Sequence, residues 1–125
     1  MKLEKELVRD LLLYFEATLT FDHHIDISLL TKEQLPYDQD DLIYTTQKLI
    51  EANFINATTA KCISNKPSIH VTSLTYNGHE FLDQIRDDCV WKKVKKVTSS
   101  AFTSVSLSVI NCVATAIIKS QLNIK

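Results

Sequence analysis

The sequence predicts an α+β fold in a chain of 125 residues. Residues 3–18 and 39–52 repeat apolar side chains with the 3.6-residue period of an amphipathic helix. Residues 54–76 are rich in β-branched side chains, which is typical of strands. Hydrophobic residues make up 45% of the chain, charged residues make up 23%, and there are one Gly and two Pro. This composition is that of a globular domain and excludes a disordered tail.

The N-terminal part predicts a helix followed by a short strand. Leucine or phenylalanine recurs every four residues from Leu3 to Phe15, which predicts a helix over residues 3–18. Apolar and polar residues alternate over 25–29, which predicts a short strand or extended link. Residues 31–35 have room for only one helical turn before a proline.

The middle of the chain predicts a second helix and a β-hairpin. The helix covers residues 39–52, with Asp38 as its N-cap and Asn53 as a left-handed C-cap. A strand starts near residue 54, and the hairpin strands are expected at 60–64 and 68–74 with a turn between them.

Two further helices are predicted in the C-terminal part. Thr75 is the expected N-cap of a long helix from residue 76 to about residue 97. Gly78 is expected to allow a close approach of the start of that helix to a neighbouring element. The last helix is expected to begin near Ser104 or Ser106 and to end near Leu122.

The order helix, short strand, helix, β-hairpin, helix is the order of a winged helix. Only a degenerate middle helix fits between residues 28 and 35. We therefore expect a winged-helix-like domain over residues 1–97 and a C-terminal amphipathic dimerisation helix within residues 98–125.

Charge is distributed unevenly along the chain. Residues 1–52 have a net charge of −6 and residues 90–125 a net charge of +6, although the whole chain has a net charge of −1. The totals therefore do not indicate a strongly basic nucleic-acid-binding protein, whereas the C-terminal third is locally basic.

The cysteines and the uncharged stretch 98–118 bear on the cellular compartment. Cys62, Cys89 and Cys112 are far apart in sequence, which favours buried thiols in a reducing, cytoplasmic compartment. The stretch contains many hydroxyl side chains, and its strongly apolar part covers only about half the length that a bilayer requires. We therefore expect a helix that packs on a partner rather than one that spans a membrane.

Three segments resemble a known family. The block 74–95, which begins LTYNGHEFLDQIRDDCVW, is similar to the signature of the bacterial and phage family catalogued as domain of unknown function 2513. Residues 7–12 resemble the first helix of that family, and residues 105–119 resemble its amphipathic last helix. The resemblance implies a winged-helix-like fold and frequent carriage on mobile elements, and it supplies no catalytic residues.

Candidate DNA-binding residues follow from the winged-helix hypothesis, in which the helix before the hairpin enters the major groove and the wing contacts the backbone. That helix offers few side chains suited to reading bases, namely Gln39, Thr45, Thr46, Gln47 and Lys48. Its acidic residues repel phosphate, so packing or contact with a protein is the favoured interpretation of this face. The wing offers Lys61, Lys66 and His70.

The strongest basic patch is the run Lys92, Lys93, Lys95 and Lys96, with Trp91 beside it to stack or anchor. It is suited to binding the DNA backbone. The alternative interpretation is a solvated helix end whose lysines face the negative end of the helix dipole.

The last helix carries a wide apolar stripe. The residues expected to pair two copies of the chain are Val105, Val109, Ile110, Val113 and Ile117.

No catalytic or metal site is expected. His79 and Asp83 are one helical turn apart, but the chain offers no obvious third ligand, so surface ion pairing is the favoured interpretation. We therefore expect a non-enzymatic, cofactor-free homodimer of phage or mobile-element origin that binds DNA as a regulator. The alternative is a protein-interaction module whose acidic helix 38–52 meets a basic partner.

Overall fold

A computed structural model describes residues 1–61 and 65–122. The architecture over these residues is α+β, with five α-helices and one three-stranded antiparallel sheet. The chain divides into two compact units, Met1–His79 and Glu80–Lys125. This division lies earlier in the chain than the boundary expected at residue 97.

Helix α1 (Lys5–Thr18) supplies the first layer of the core of the N-terminal unit. Its predicted stripe is fully buried at Leu7, Leu11 and Phe15. Each such side chain contributes about 1.5–3 kcal/mol of burial free energy. The helix packs against α2 (Gln39–Glu51) and against strand β3 (Pro67–Leu74).

The strand expected over residues 25–29 is shorter than predicted. Strand β1 is only Ile25–Asp26, and a 3₁₀ turn follows over Ile27–Leu29. The Asp26 carboxylate accepts a hydrogen bond of 3.0 Å from the Ser28 backbone N–H, which ends the extended conformation. The alternation therefore stops at Ile27, and Leu29 is exposed.

The single turn expected over residues 31–35 is present. The Leu35 backbone N–H donates to the Thr31 carbonyl over 3.1 Å, and Leu35 is buried.

Helix α2 ends in the predicted left-handed residue. Asn53 has a φ of 62°. The Phe54 N–H donates to the Leu49 carbonyl over 2.9 Å, and the Asn53 N–H donates to the Ile50 carbonyl over 2.9 Å. These two bonds form a Schellman C-cap. At the other end, Asp38 occupies the predicted N-cap position without a side-chain cap bond, and its carboxylate lies 3.3 Å from Lys32 Nζ.

The hairpin begins earlier than predicted. Strand β2 covers Ile55–Lys61 and pairs with β3 from Ile55↔Leu74 to Lys61↔Pro67. The strand expected at 60–64 is therefore the end of β2, and residues 62–64 lie outside the described part of the chain. The register shifts between Asn56 and Ala57, which leaves Thr72 as an extra residue on β3. The sheet order is β1-β3-β2.

Helix α3 (Tyr76–Ile85) starts at the predicted cap and requires its glycine. Thr75 Oγ1 accepts a hydrogen bond of 3.0 Å from the Gly78 N–H. A Cβ at Gly78 would lie 2.9 Å from the carbonyl carbon of Phe54 and closer still to its oxygen. The close approach expected at Gly78 is confirmed, and the neighbour is the backbone between α2 and β2.

The prediction of a single long helix over residues 76–97 is wrong. The structure has α3 and then a separate α4 (Asp88–Thr98), whose N-cap Asp87 accepts a hydrogen bond of 3.0 Å from the Val90 N–H. This cap competes with continuation of α3 and resets the helical phase. As a result Val90, Trp91 and Val94 are buried, whereas Cys89 is exposed.

The prediction of buried thiols is therefore wrong for Cys89, and it is wrong for Cys112 as well. Helix α5 (Leu107–Gln121) directs Ile110 and Ala114 inward, and Cys112 lies between them on the opposite, exposed face. Cys62 lies outside the described residues.

Helix α5 has the predicted limits and packs against α4. Its N-cap Ser106 accepts a hydrogen bond of 3.3 Å from the Val109 N–H. Trp91 of α4 is buried with its ring edge-on to Phe102, at a centroid distance of 5.4 Å. Its ring is therefore part of the packing and is not presented for stacking on a ligand.

Gly78→Ala is expected to lower the free energy of unfolding by about 3 kcal/mol, because the new methyl group meets backbone atoms that cannot rotate away. Urea denaturation of the two proteins measures this difference.

Asn77→Ala changes the exposed neighbouring residue and is the matched control, with an expected effect within about 0.5 kcal/mol. Equal stability of Gly78→Ala and the natural protein would contradict the close contact.

Candidate nucleic-acid interface

The two base-reading threonines expected in α2 do not face solvent. Thr45 and Thr46 are buried, and the Thr46 hydroxyl donates to the Leu42 carbonyl over 2.7 Å. Gln39 is also engaged, because its amide donates to the Ile27 carbonyl over 2.9 Å. The two threonines therefore present no accessible side chain and the Gln39 amide is already bonded within the protomer, whereas Gln47 and Lys48 are half-exposed.

Lys48 of α2 and Lys66 of the wing are paired with carboxylates. Lys48 Nζ lies 3.0 Å from Glu51 Oε2 and 5.3 Å from the centre of the Tyr44 ring, and the hydrogen bond to Glu51 raises the pKa of Lys48. Lys66 Nζ lies 2.7 Å from Asp40 Oδ1. Each pair offsets positive charge that a phosphate would otherwise meet.

The imidazole of His70 also faces a carboxylate. His70 and Asp26 are cross-strand partners in the sheet, and their Nε2 and Oδ2 atoms are 3.5 Å apart. Lys61, at the end of β2, is exposed and forms no ion pair within the described ranges. Among the wing candidates Lys61, Lys66 and His70, Lys61 is therefore the one whose side chain does not face a carboxylate within the described residues.

The lysines of α4 lie in a different environment. Lys92, Lys93 and Lys96 are exposed, and we refer to these three residues as the α4 lysine face. They lie one turn or less apart, on the side of the helix opposite the buried Val90 and Val94.

Lys95 is half-buried and lies between the two sides of α4. The sequence from residue 90 to residue 125 contains no acidic side chain, so all formal side-chain charges that follow Asp88 in the chain are positive.

An apolar groove of about 410 Å³ adjoins this face in the C-terminal unit. It is formed by α4 and α5 and is lined by Lys93, Val97, Val113, Ala116, Ile117, Ser120 and Gln121. Among the residues expected to pair two copies, Val113 and Ile117 line this groove.

The other residues of the stripe differ in exposure. Val109 is 44% exposed, Val105 is half-buried, and Ile110 is fully buried within the protomer. Ile110 therefore offers no side-chain surface to a second copy.

The histidine and carboxylates of α3 form separate ion pairs. His79 Nδ1 lies 3.8 Å from Glu16 Oε2, whereas Asp83 Oδ1 lies 2.8 Å from Arg86 Nη2. Surface ion pairing, the interpretation favoured for this segment from the sequence, is confirmed for Asp83. Among the residues that the structure describes, no group of three or more His, Cys, Asp or Glu side chains is placed to hold a metal ion.

No helix in the described part of the chain combines the length and the apolar character needed to cross a bilayer.

The fold and this distribution of charge define a small α+β protein with a basic helix in its C-terminal unit. The family model described as Hypothetical protein (DUF2513) matches residues 2–105. An uncharacterized protein of Haemophilus influenzae is 33% identical over 122 residues, which are 98% of this chain and 99% of that protein. The chain therefore belongs to the DUF2513 family, as its sequence motifs indicated. No solved structure matches the chain significantly.

Proposed function

We propose that this protein is a winged-helix DNA-binding regulator that acts as a homodimer and holds DNA through its phosphates. The observation that carries the proposal is the α4 lysine face, because phosphate attraction dominates the affinity of proteins for DNA. Three exposed lysines on one helix face, with no acidic residue after Asp88, supply such attraction.

The element order of the N-terminal unit supports the winged-helix part of the proposal. A helix, a short strand, a second helix and a hairpin follow one another, and the short strand pairs with the second hairpin strand. The turn at residues 31–35 takes the place of the middle helix. A winged-helix order alone does not identify a ligand, because one fold can serve many functions.

The charge of α2 determines which kind of contact we propose. Asp40, Asp41 and Glu51 repel phosphate on the face that a groove-entering helix would present. We therefore assign the main contacts to the DNA backbone through α4 and Lys61, with weak dependence on base sequence.

The homodimer is proposed through α5, on the side where Val109, Val113 and Ile117 follow one another at four-residue steps. These side chains are partly or largely exposed in the protomer. A two-fold contact along this stripe would bury them.

A second candidate function is a protein-interaction module that uses the acidic face of α2. Asp41 is exposed and makes no ion pair within the described residues, and Asp40 already binds a lysine at 2.7 Å. Lysine or arginine side chains on a basic protein surface could form ion pairs with these carboxylates, as Lys66 does with Asp40. A stable complex with a basic protein, combined with no affinity for DNA, would favour this function.

The DNA proposal predicts affinity that decreases steeply with salt. Fluorescence anisotropy with a random-sequence duplex, measured from about 50 to 200 mM salt, gives the slope of log affinity against log salt. Lys92→Gln combined with Lys96→Gln is expected to reduce this slope by about 0.9 for each lysine that contacts a phosphate.

Lys2→Gln combined with Lys32→Gln removes the same charge from the N-terminal unit and is expected to leave the slope unchanged. Equal decreases of the slope in both double variants would show that the salt dependence follows the net charge of the protein and would contradict contact through α4. Absence of binding at about 50 mM salt would refute DNA binding.

The homodimer predicts that Val109→Asp separates the copies, because a carboxylate placed in an apolar contact is strongly unfavourable. Light scattering should show the mass of one chain for this variant and of two chains for the natural protein.

Ser108→Asp places the same charge on the neighbouring exposed position in the first turn of α5, where it suits the helix dipole. That control is expected to remain a dimer. A natural protein with the mass of a single chain would overturn the dimer.

A further inference from the structure

Strand β3 continues for three residues beyond its pairing with β1. Strand β1 contributes only the pairs Ile25↔Val71 and Asp26↔His70, whereas β3 extends to Leu74. The residues before Ile25 do not extend β1, because they fold into a turn of their own. In that turn Thr20 and His23 exchange backbone hydrogen bonds of 3.1 and 3.3 Å.

The β1 side of residues 72–74 is therefore an open strand edge. Over residues 1–61 and 65–122, no strand pairs with β3 on that side beyond Val71. Thr72 also has no opposite residue on β2, because it is the extra residue of the bulge. An open edge presents backbone donors and acceptors that can pair with another extended chain.

A cleft of about 550 Å³ lies beside this edge, entirely within the N-terminal unit. We call it the edge cleft, and its volume is in the range of ligand-binding pockets. It is bordered by the end of α1, the turn before β1, the open edge and the start of α3, through Phe15, Glu16, Leu19, Thr20, Phe21, His24, Thr72, Ser73, Leu74 and His79.

The accessible apolar side chains of the edge cleft favour apolar side chains in its occupant. Leu19 and Leu74 are half-buried at the cleft and keep part of their apolar surface accessible, whereas Phe15 lies fully buried behind them. Phe21 is fully exposed at the tip of the turn, so its ring is available to a partner. Glu16 lies 3.8 Å from His79, and a carboxylate in this position repels nucleic acid.

We propose that the edge cleft binds an extended peptide segment, which adds to β3 beside residues 72–74 as a short strand in line with β1. Its backbone pairs with the open edge, and its apolar side chains, at alternate positions, cover Leu74 and Phe21. The edge cleft lies in the N-terminal unit, whereas the α4 lysine face lies in the C-terminal unit.

Panning a displayed random heptapeptide library on the full chain tests the proposal. The selected peptides are expected to carry apolar residues at alternate positions. Their affinity, measured with the synthetic peptides, is expected to decrease at least tenfold on Phe21→Ala. Since Phe21 is fully exposed, this variant is expected to fold normally. Leu29→Ala removes another exposed apolar side chain of the same unit and is the matched control, with no expected change.

Backbone N-methylation of the best peptide separates strand addition from simple hydrophobic contact. Successive N–H groups of a strand point to opposite sides, so methylation at one alternate set of positions should weaken binding about tenfold or more. Methylation at the other set should have little effect.

Three results would overturn the proposal. They are the absence of any enriched peptide, equal losses on Phe21→Ala and Leu29→Ala, and equal binding of the two methylated peptides and their parent.

Discussion

The N-terminal unit depends on one backbone junction, at Asn53 and Phe54. The left-handed Asn53 ends α2 and directs the chain into β2. The Phe54 carbonyl then accepts a hydrogen bond of 2.9 Å from the Thr75 N–H, and the Asn53 carbonyl accepts one from the Thr75 hydroxyl. The start of α3 is packed on the same peptide group, with only a glycine hydrogen between them at Gly78. Two helices and both hairpin strands therefore meet at two residues, and any side chain at position 78 would separate them.

The features predicted correctly from the sequence are those that short-range physics determines. Helices α1 and α2 follow from their apolar periodicity, and Asn53 and Thr75 occupy the predicted cap positions because capping depends on neighbouring backbone groups. Helix α5 begins next to Ser106, one of the two starts expected for it.

The errors have different physical causes. The expected long helix over residues 76–97 places Asp87 in its interior, but the Asp87 carboxylate caps α4 and breaks that helix. The sequence signal for this helix start was the pair Asp87-Asp88, because an aspartate N-cap followed by an acidic first turn is typical of a helix N-terminus. The pairing of Lys66 with Asp40 joins residues far apart in sequence, and periodicity contains no information about such contacts. The edge cleft was missed because it lies where β1 starts late, since the residues before Ile25 fold into a turn closed by backbone hydrogen bonds between Thr20 and His23.

The uneven distribution of charge along the sequence is also seen in the environments of the basic side chains in the structure. In the N-terminal unit, Lys48, Lys66 and His70 each face a carboxylate. In the C-terminal unit, the three residues of the α4 lysine face are exposed to solvent. The sequence contains no acidic residue after Asp88. We therefore propose that α4 binds phosphate and that α2 does not have the groove-entering role that the winged-helix order would give it.

The most direct test of this assignment is the change in backbone amide chemical shifts of the isotope-labelled full chain when duplex DNA is added. The account predicts that the largest changes lie at residues 92–96 of α4, with small changes over residues 39–51 of α2. Largest changes over α2, with α4 unaffected, would contradict it.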